Sequence, residues 1–186
     1  MYQTKSILAL GSNIGNSVFN LRSAVKQLKT LGLVSKIADI YISKPYGYTH
    51  QNNFYNTAIL LKTQKQPSEL INNIYAIEKK LKKNKRIING PRKIDIDIIF
   101  YGKKIYQSSN LTIPHPRAAD RDFVLYPILD IDPFFQHPVS KKSVKTLAKE
   151  LDKKFIACVE KKLNLSEYQS KCLSFASGFV IGAILL

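Results

Sequence analysis

Acidic residues are scarce in this sequence. Its 186 residues include 29 Lys and Arg but only 13 Asp and Glu, which gives a formal net charge of +16 at pH 7. Such a charge favours an anionic partner, whether nucleic acid, anionic lipid or a phosphorylated small molecule. A general richness in lysine explains most of the excess, because lysines are spread along the whole chain. The arginines are more informative, since four of the five fall in the middle third: Arg86, Arg92, Arg117 and Arg121.

Cysteine is almost absent, and no long hydrophobic run opens the chain. Cys158 and Cys172 form no CxxC pattern, which indicates free thiols in a reducing compartment. The first ten residues are too short and too polar for a signal peptide. We therefore expect a cytoplasmic protein.

The end of the chain differs from the rest. Residues 1–156 suit one domain with a full core, and residues 157–186 form a C-terminal extension of unknown role. Within it, Ser174–Leu186 is almost entirely apolar but shorter than the ~20 residues that span a bilayer. A buried helix, an interfacial anchor and a disordered end all stay open for this segment. We expect no membrane association, although the apolar end leaves that question open.

Hydrophobic periodicity predicts strand, helix, hairpin, helix and strand, in that order. The predicted strands are Lys5–Leu10, Leu33–Ile42, Phe54–Lys62 and Ile94–Phe100. The first predicted helix is capped by Asn16 or Ser17 and ends at Gly32, and the second begins at Pro67; further helices are predicted at Val124–Leu129 and from Ser140 or Ser143 to about Phe155. This order is a ferredoxin-like α+β plan, with an antiparallel sheet, helices on one face and an open face for a ligand.

The stretch from Gly90 to Phe100 carries the clearest chemistry. Gly90-Pro91 sets a turn, and apolar and polar residues then alternate, which places Ile94, Ile96, Ile98 and Phe100 on one face. Asp95 and Asp97 share the other face, although Asp is depleted in strands. Mg²⁺ bound between the carboxylates and phosphate oxygens would relieve their repulsion. A plain edge strand with solvated Asp residues explains the pattern equally well.

Five segments resemble a known family. They are Leu10–Gly15 (LGSNIG), Phe54–Asn56 (FYN), Gly90–Ile98 (GPRKIDIDI), Pro114–Arg117 (PHPR) and Arg121–Pro127 (RDFVLYP). In this order and spacing, over roughly the first 155 residues, the chain resembles the 6-hydroxymethyl-7,8-dihydropterin pyrophosphokinases of folate biosynthesis. The resemblance implies transfer of diphosphate from ATP to the pterin hydroxymethyl group, with release of AMP and the use of two Mg²⁺ ions.

The resemblance also implies roles for individual residues. Asp95 and Asp97 would hold both metal ions and, with Arg92 and Arg121, form the catalytic set. The implied nucleotide-binding residues are Lys83, Lys85, Ile98, Thr112, His115 and Arg117. The implied pterin-binding residues are Ser43, Tyr46, Phe54, Asn56 and Phe123, of which the two Phe would stack on the flat ring. Glu78 matches an acid near the pterin site, although it falls off the apolar stripe of its own helix.

The chain departs from the family before Gly90. Lys82 and Lys83 take the positions of a Gly-Arg pair, Lys85 follows, and Asn89 replaces an aromatic residue. Lysine keeps the charge but loses the bidentate fork of arginine. We expect activity to survive, with slower closure or weaker ATP binding.

Two other classes of function fit parts of the sequence. A basic ferredoxin-like sheet suits an RNA-binding module, but this chain places acids where such modules expose aromatics. A catalytically degenerate relative is the second alternative. We expect a monomer that acts on ATP and the pterin and binds no nucleic acid.

Overall fold

The computed structural model describes residues 3–81, 89–152 and 159–163. The helices are α1 (Ser17–Leu28), α2 (Pro67–Lys80), α3 (Asp122–Ile131) and α4 (Val144–Asp152), with a 3₁₀ turn at Ala118–Asp120. The strands are β1 (Thr4–Ser12), β2 (Leu33–Ile37), β3 (Ile40–Ser43), β4 (Phe54–Thr63), β5 (Asp95–Tyr101), β6 (Tyr106–Gln107), β7 (Thr112–Ile113) and β8 (Val159–Leu163). The fold is therefore α+β, as predicted.

Six strands form one antiparallel sheet in the order β5-β1-β4-β3-β8, with β2 also paired to β4. Strands β6 and β7 form a separate two-stranded sheet. Strand β8 lies inside the predicted extension 157–186, so part of that extension pairs with the main sheet. Within the described ranges, no helix is long and apolar enough to cross a membrane.

Helices α1 and α2 cover one face of the sheet. The Asn16 side chain accepts a hydrogen bond from the Phe19 N–H at 3.0 Å, which caps α1, and Pro67 lies in the first turn of α2. Their apolar stripes bury Leu21, Leu28 and Ile74 against the β1, β4 and β5 side chains of the larger core. Helix α1 ends at Leu28 rather than at Gly32, because the chain turns through Thr30 and Leu31 before β2.

Helices α3 and α4 cover part of the opposite face, so the prediction of helices on one face only is wrong. Their apolar residues, among them Leu125, Ile128 and Leu147, pack with Ile7 and Phe100 in a second core. The periodicity found these helices but carried no information about where they pack. The same face stays uncovered around Ala9, Asn56 and Asp97, where a cavity opens.

The predicted strand Leu33–Ile42 is two strands in the structure. The break falls at Ala38 and Asp39, where side chains compete with the ladder. Thr57 Oγ1 donates to the Ala38 carbonyl at 2.9 Å, and the Asp39 N–H donates to the Asp130 carboxylate of α3 at 3.2 Å. Side-chain hydrogen bonds to the main chain thus interrupt a continuous apolar pattern.

The predicted alternation along β5 fails at its end. The register to β1 shifts between Ile7 and Leu8, so Ile7 pairs with Phe100 and Leu8 with Ile98. This bulge moves Phe100 into the α3–α4 core, while Ile96 and Ile98 stay in the α1–α2 core. The prediction that Phe100 shares their face is therefore wrong, whereas Asp95 and Asp97 keep the predicted common face.

Candidate active site

One cavity of about 610 Å³ opens at the end of β5 where the chain enters the strand. It brings together every predicted site residue that the structure describes: Ser43, Tyr46, Phe54, Asn56, Arg92, Asp95, Asp97, Ile98, Thr112, His115, Arg117, Arg121 and Phe123. The predicted nucleotide contacts Lys83 and Lys85 lie outside the described residues. Residues separated by up to eighty positions thus meet at one site.

The two carboxylates stand over small residues of β1. Asp95 pairs in register with Gly11, and Asp97 pairs with Ala9. A Cβ atom at Gly11 would lie 3.2 Å from Asn56 Oδ1 and 3.9 Å from Phe54 Cδ1. Glycine therefore lets β4 side chains approach the carboxylates closely.

Arg92 is an ion-pair partner of Asp95. Its guanidinium donates to Asp95 Oδ2, and both side chains are 18% exposed. The same guanidinium lies 5.6 Å from the centre of the Phe54 ring. Such a partly desolvated cation can form a bidentate pair with a carboxylate or a phosphate. Arg92 can therefore pair with the Asp95 carboxylate or with a phosphate group in the cavity.

Glu78 has a different position from the one that its helical spacing predicts. Its side chain is buried, 4% exposed, and Glu78 Oε1 accepts a hydrogen bond from the Ile96 N–H at 2.8 Å. Ile96 lies between the two aspartates on β5, the edge strand of the sheet. Glu78 therefore satisfies an edge N–H and fixes the strand segment that carries both carboxylates.

Arginine and aromatic side chains are stacked at the other side of the cavity. The Arg121 guanidinium lies 5.6 Å from the Phe123 ring centre and 6.0 Å from the Tyr46 ring centre. Burial lowers the pKa of Arg121, Arg117 lowers it further, and Asp97 raises it. Guanidinium groups stay protonated at physiological pH despite such shifts. Positive charge is thus held close to aromatic faces within the cavity.

His115 is held as a neutral side chain between opposing charges. Burial lowers its pKa below 6.5, while Asp97 raises it and Arg121 and Arg117 lower it. The ring Nδ1 accepts a hydrogen bond from the Arg117 backbone N–H at 3.2 Å, and the backbone N–H of His115 donates to the Ile99 carbonyl at 3.0 Å. The proton of the neutral ring therefore lies on Nε2, which leaves a donor for a ligand.

Asn56 has a fixed amide orientation at the base of the cavity. Its Nδ2 donates to Ser43 Oγ at 2.9 Å and to the Tyr41 carbonyl at 3.4 Å. The side chain is 7% exposed, so these bonds form away from bulk water. The amide oxygen is left on the side of Gly11. This arrangement can read the hydrogen-bonding edge of a flat heterocycle.

Asn13 is a residue whose position the sequence reasoning missed. It is 3% exposed, and its side-chain Oδ1 accepts from the Arg92 backbone N–H at 2.8 Å, while the backbone N–H of Asn13 donates to the Arg92 carbonyl at 3.1 Å. Its Nδ2 donates to Gln51 Oε1 at 2.9 Å and to the Asn52 carbonyl at 3.0 Å. The available signal was a short amide side chain inside a glycine loop.

Gln51 and Asn89 extend this network. Gln51 Nε2 donates to the Asn89 carbonyl at 2.8 Å and to the Tyr48 carbonyl at 2.6 Å. Asn89 has a φ of 54°, in the left-handed region where Asn is enriched and bulky residues are strained. The loop that contains Gln51, the turn before Gly90 and the glycine loop are thus tied together by two amide side chains, those of Asn13 and Gln51.

The donor set fits Mg²⁺ only when a substrate completes it. Asp95 and Asp97 supply hard carboxylate oxygens on one face of β5, inside the cavity. Among residues 3–81, 89–152 and 159–163, no group of three or more His, Cys, Asp or Glu side chains is placed to hold a metal ion. Mg²⁺ commonly uses one or two carboxylates together with substrate phosphates and water. The cavity suits that mode of binding.

These features define a class of protein. Carboxylates suited to Mg²⁺, guanidinium groups suited to phosphate and aromatic rings suited to a planar group meet in one cavity. That is the composition of a phosphotransferase site, in which positioning and charge neutralisation do most of the chemistry.

The comparisons narrow this class to one family. The sequence model of 7,8-dihydro-6-hydroxymethylpterin-pyrophosphokinase (HPPK) matches residues 7–133. The 2-amino-4-hydroxy-6-hydroxymethyldihydropteridine pyrophosphokinase of Aquifex aeolicus is 36% identical over 154 residues, which cover 83% of this chain and 96% of that protein. The chain belongs to the HPPK family.

Other relatives are longer proteins. The folic acid synthesis protein of Pneumocystis carinii is 42% identical over 138 residues, which cover 74% of this chain but 19% of that protein. The bifunctional protein FolKE of Lactococcus lactis (strain MG1363) is 35% identical over 92% of this chain and 50% of its own length. A solved structure of Plasmodium falciparum HPPK-DHPS has a TM-score of 0.67 at 17% identity, covering 80% of this chain and 43% of that one. This last likeness concerns the fold alone.

Proposed function

We propose that the protein transfers the terminal diphosphate of ATP to the hydroxymethyl group of 6-hydroxymethyl-7,8-dihydropterin, with release of AMP. One observation carries the proposal: Asp95 and Asp97 share a cavity with Arg92, Arg121 and an aromatic pair in a chain of the HPPK family. The activity proposed is that of the pyrophosphokinase part of the longer relatives and no more. This activity would place the protein in folate biosynthesis.

The chain's own residues would bind and orient both substrates. Phe54 and Phe123 line the cavity from β4 and α3 and would enclose the pterin ring. The fixed amide of Asn56 and the loop residues Ser43 and Tyr46 would read its edge. Ile98 and Thr112 would line the adenosine side, where β7 borders the same cavity. This arrangement holds the hydroxyl group and the phosphate chain in one orientation, which removes much of the entropic cost of reaction.

Charge is the second contribution. Arg92, Arg117 and Arg121 would bind phosphate oxygens, and neutral His115 would donate from Nε2. We propose two Mg²⁺ ions held by Asp95 and Asp97, which when bound neutralise charge on the phosphate chain and polarise the transferred group. Because Arg92 already pairs with Asp95, we propose that Arg92 exchanges this carboxylate for phosphate when substrate and metal arrive. Lys83 and Lys85 would add cations from residues outside the described ranges.

We also propose the finer features that the sequence analysis raised. The order β5-β1-β4-β3 with α1 and α2 on one face supports a ferredoxin-like core. We propose a monomer that works in the cytoplasm on small molecules rather than nucleic acid. Carboxylates in the cavity support this choice, because they would repel nucleic-acid phosphates unless metal intervened. Residues 1–156 would form the catalytic domain, with 157–186 as its extension.

Phosphorus NMR of ATP and Mg²⁺ with the purified protein tests the reaction. Pterin-dependent formation of AMP and of a diphosphate ester is the expected result. ATP that stays intact with folded protein and pterin would contradict the proposal and favour a degenerate relative, disabled in the substituted segment Lys82–Asn89. ADP in place of AMP would also contradict it, since the bond broken would then be the wrong one.

A further inference from the structure

The two arginines of the proposed catalytic set are held in different ways. Arg92 forms an ion pair with the Asp95 carboxylate. Arg121 forms neither an ion pair nor a side-chain hydrogen bond with any residue that the structure describes, and its guanidinium lies over the Phe123 and Tyr46 rings. The orientation of Arg121 therefore depends on aromatic side chains rather than on a carboxylate.

The charge on Arg121 lies close to other cations. Burial lowers its pKa, and the neighbouring Arg117 and Arg92 lower it further. Asp97 and Tyr46 raise it. The face of an aromatic ring attracts a cation, and the attraction grows as the cation loses its water. The rings that flank Arg121 therefore stabilise a guanidinium that its neighbouring cations repel.

The two rings reach Arg121 from different parts of the fold. Phe123 lies in the first turn of α3, two residues after Arg121, so this contact is local. Tyr46 lies in the loop between β3 and β4, far earlier in the chain. The Tyr46 contact therefore fixes Arg121 relative to the β3–β4 loop, which the local contact with Phe123 cannot do.

The loop that carries Tyr46 is itself held in place. Gly47 has a φ of 86°, and a Cβ atom there would lie 3.2 Å from Asn89 Nδ2, so the backbone passes close to Asn89. Gln51 Nε2 donates to the Tyr48 carbonyl at 2.6 Å and to the Asn89 carbonyl at 2.8 Å. These contacts restrict where the Tyr46 ring can lie.

We propose that Tyr46 is a positioning residue whose ring holds the Arg121 guanidinium against Phe123 and thereby sets where this cation meets the phosphate chain. This role rests on the proposed function, in which Arg121 binds phosphate oxygens. The β3–β4 loop would then serve both substrates, because its backbone borders the pterin site while the Tyr46 side chain orients a phosphate-binding cation. We expect the contact to change kcat by about fivefold, equivalent to about 1 kcal/mol.

Steady-state kinetics of matched substitutions test the proposal. Tyr46→Leu removes the ring and Tyr46→Phe keeps it. The control, Tyr48→Leu, removes a ring of the same loop that is 40% exposed and does not line the cavity. Tyr46 is 52% exposed, so its substitution should not unfold the protein. We expect Tyr46→Leu to lower kcat about fivefold with little change in KM for the pterin, and the other two variants to stay within about twofold in kcat.

A double-mutant cycle identifies the group through which Tyr46 acts. In an Arg121→Ala background, Tyr46→Leu should lower kcat by less than about twofold, because the cation that the ring holds is already absent. An undiminished loss in that background would overturn the proposal. A change confined to KM for the pterin would also overturn it and assign the ring to the pterin site, as would an equal loss of kcat in Tyr48→Leu.

Nuclear magnetic resonance of the ligand-free protein separates this proposal from the proposed function. The ring current of an aromatic face shifts the Nε–Hε signal of a guanidinium above it upfield. The Arg121 signal, assigned by its loss in Arg121→Lys, should move downfield in Tyr46→Leu and stay in place in Tyr46→Phe and Tyr48→Leu. An unmoved signal in Tyr46→Leu would overturn the contact at any level of activity. A moved signal without AMP formation by the unmodified protein would establish the contact and overturn the proposed function.

Discussion

The floor and the rim of the active-site cavity are built by different interactions. The cavity floor consists of Gly11, Asn56, Asp95 and Asp97 on three neighbouring strands, in register through main-chain ladders. The cavity rim consists of Asn13, Gln51, Asn89 and Arg92, on segments joined by side-chain hydrogen bonds. The geometry of the main-chain ladders does not depend on any one side chain, whereas the arrangement of the rim segments depends on a few side chains.

This difference predicts how substitutions behave. A substitution on the floor should lower catalytic activity and leave the backbone structure unchanged, because the neighbouring strands still hold the backbone. A change on the rim should loosen several segments together, since one amide side chain serves more than one partner. Substitutions on the floor should therefore change activity without changing stability, whereas substitutions on the rim should change both.

Asp97→Ala should give the largest effect on turnover. Under the proposed function, removing one of the two carboxylates that would hold Mg²⁺ against the phosphate chain should lower kcat by about 10³-fold or more, because charge neutralisation is lost in the transition state. The melting temperature should stay within about 2 °C, because Ala can keep the ladder to Ala9. AMP formation and thermal unfolding measure both. Asp120→Ala is the matched control, since that exposed carboxylate lies outside the cavity lining. Full activity in Asp97→Ala would refute the metal assignment.

Arg121→Ala should lower kcat by about 10²-fold, which is the scale for loss of one charged donor to a transferring group. Arg121→Lys should recover part of this loss only, because an ammonium group keeps the charge without the fork. The Phe123 and Tyr46 rings would also lose their stacked cation. Steady-state kinetics with both substrates separates kcat from KM. Equal activity of the Lys variant and the unmodified protein would show that geometry at this cation is unimportant.

Asn13→Ala should affect stability and activity together. It removes two bonds donated by Nδ2 and leaves the Arg92 N–H without its acceptor. We expect a loss of about 1–3 kcal/mol in the free energy of unfolding and a rise of about tenfold in KM for the pterin as the rim loosens. Chemical denaturation and kinetics measure the two effects. Gln51→Ala, which leaves the Asn13–Arg92 bonds intact, should show a smaller change in both. Unchanged stability with lost activity would contradict the distinction between rim and floor.

The floor was predictable from sequence because strand alternation is a local signal. Asp95 and Asp97 follow a period of two, and the apolar residues between them identify the buried face. The limit of that signal appears at Phe100, where a bulge reverses the face. A bulge depends on the register with β1, and register is a pairing between distant segments that alternation within β5 does not contain.

The rim was less predictable for the same reason. Asn13 and Gln51 are polar residues in loops, and their sequence neighbours give no hint that they bond to each other or to Arg92. Glu78 shows the same limit, since helical periodicity placed it off the buried stripe, yet it is buried and accepts a hydrogen bond from the Ile96 N–H of the edge strand. Family motifs identified the residues that line the cavity, whereas the hydrogen bonds that position them join segments far apart in the chain and leave no local pattern in the sequence.

The smallest effect that we predict is on the pH dependence of stability. It concerns the end of β5 that lies far from the cavity. Phe100, in β5, has its ring centre 5.6 Å from that of His137, whose pKa is lowered by burial. As the pH falls below 6.5, the His137 imidazole is therefore protonated more readily in the unfolded chain than in the folded chain. The contribution of His137 to stability is complete above pH 6.5 and is lost as pH falls through its lower folded pKa.

His137→Asn should flatten the dependence of the melting temperature on pH below 6.5. His137 Nδ1 accepts from the Val139 and Ser140 N–H groups at 3.2 Å, and an Asn oxygen can accept at the same turn without titrating. Activity at these pH values should change as in the unmodified protein, because His115, the histidine that lines the cavity, is retained. His115→Gln should do the reverse, altering the pH profile of activity more than that of stability near the cavity. If His137→Asn altered the pH profile of activity instead, the charge on His137 would affect the active site from the other end of β5. That result would contradict the expectation that activity and stability are set by different parts of this strand.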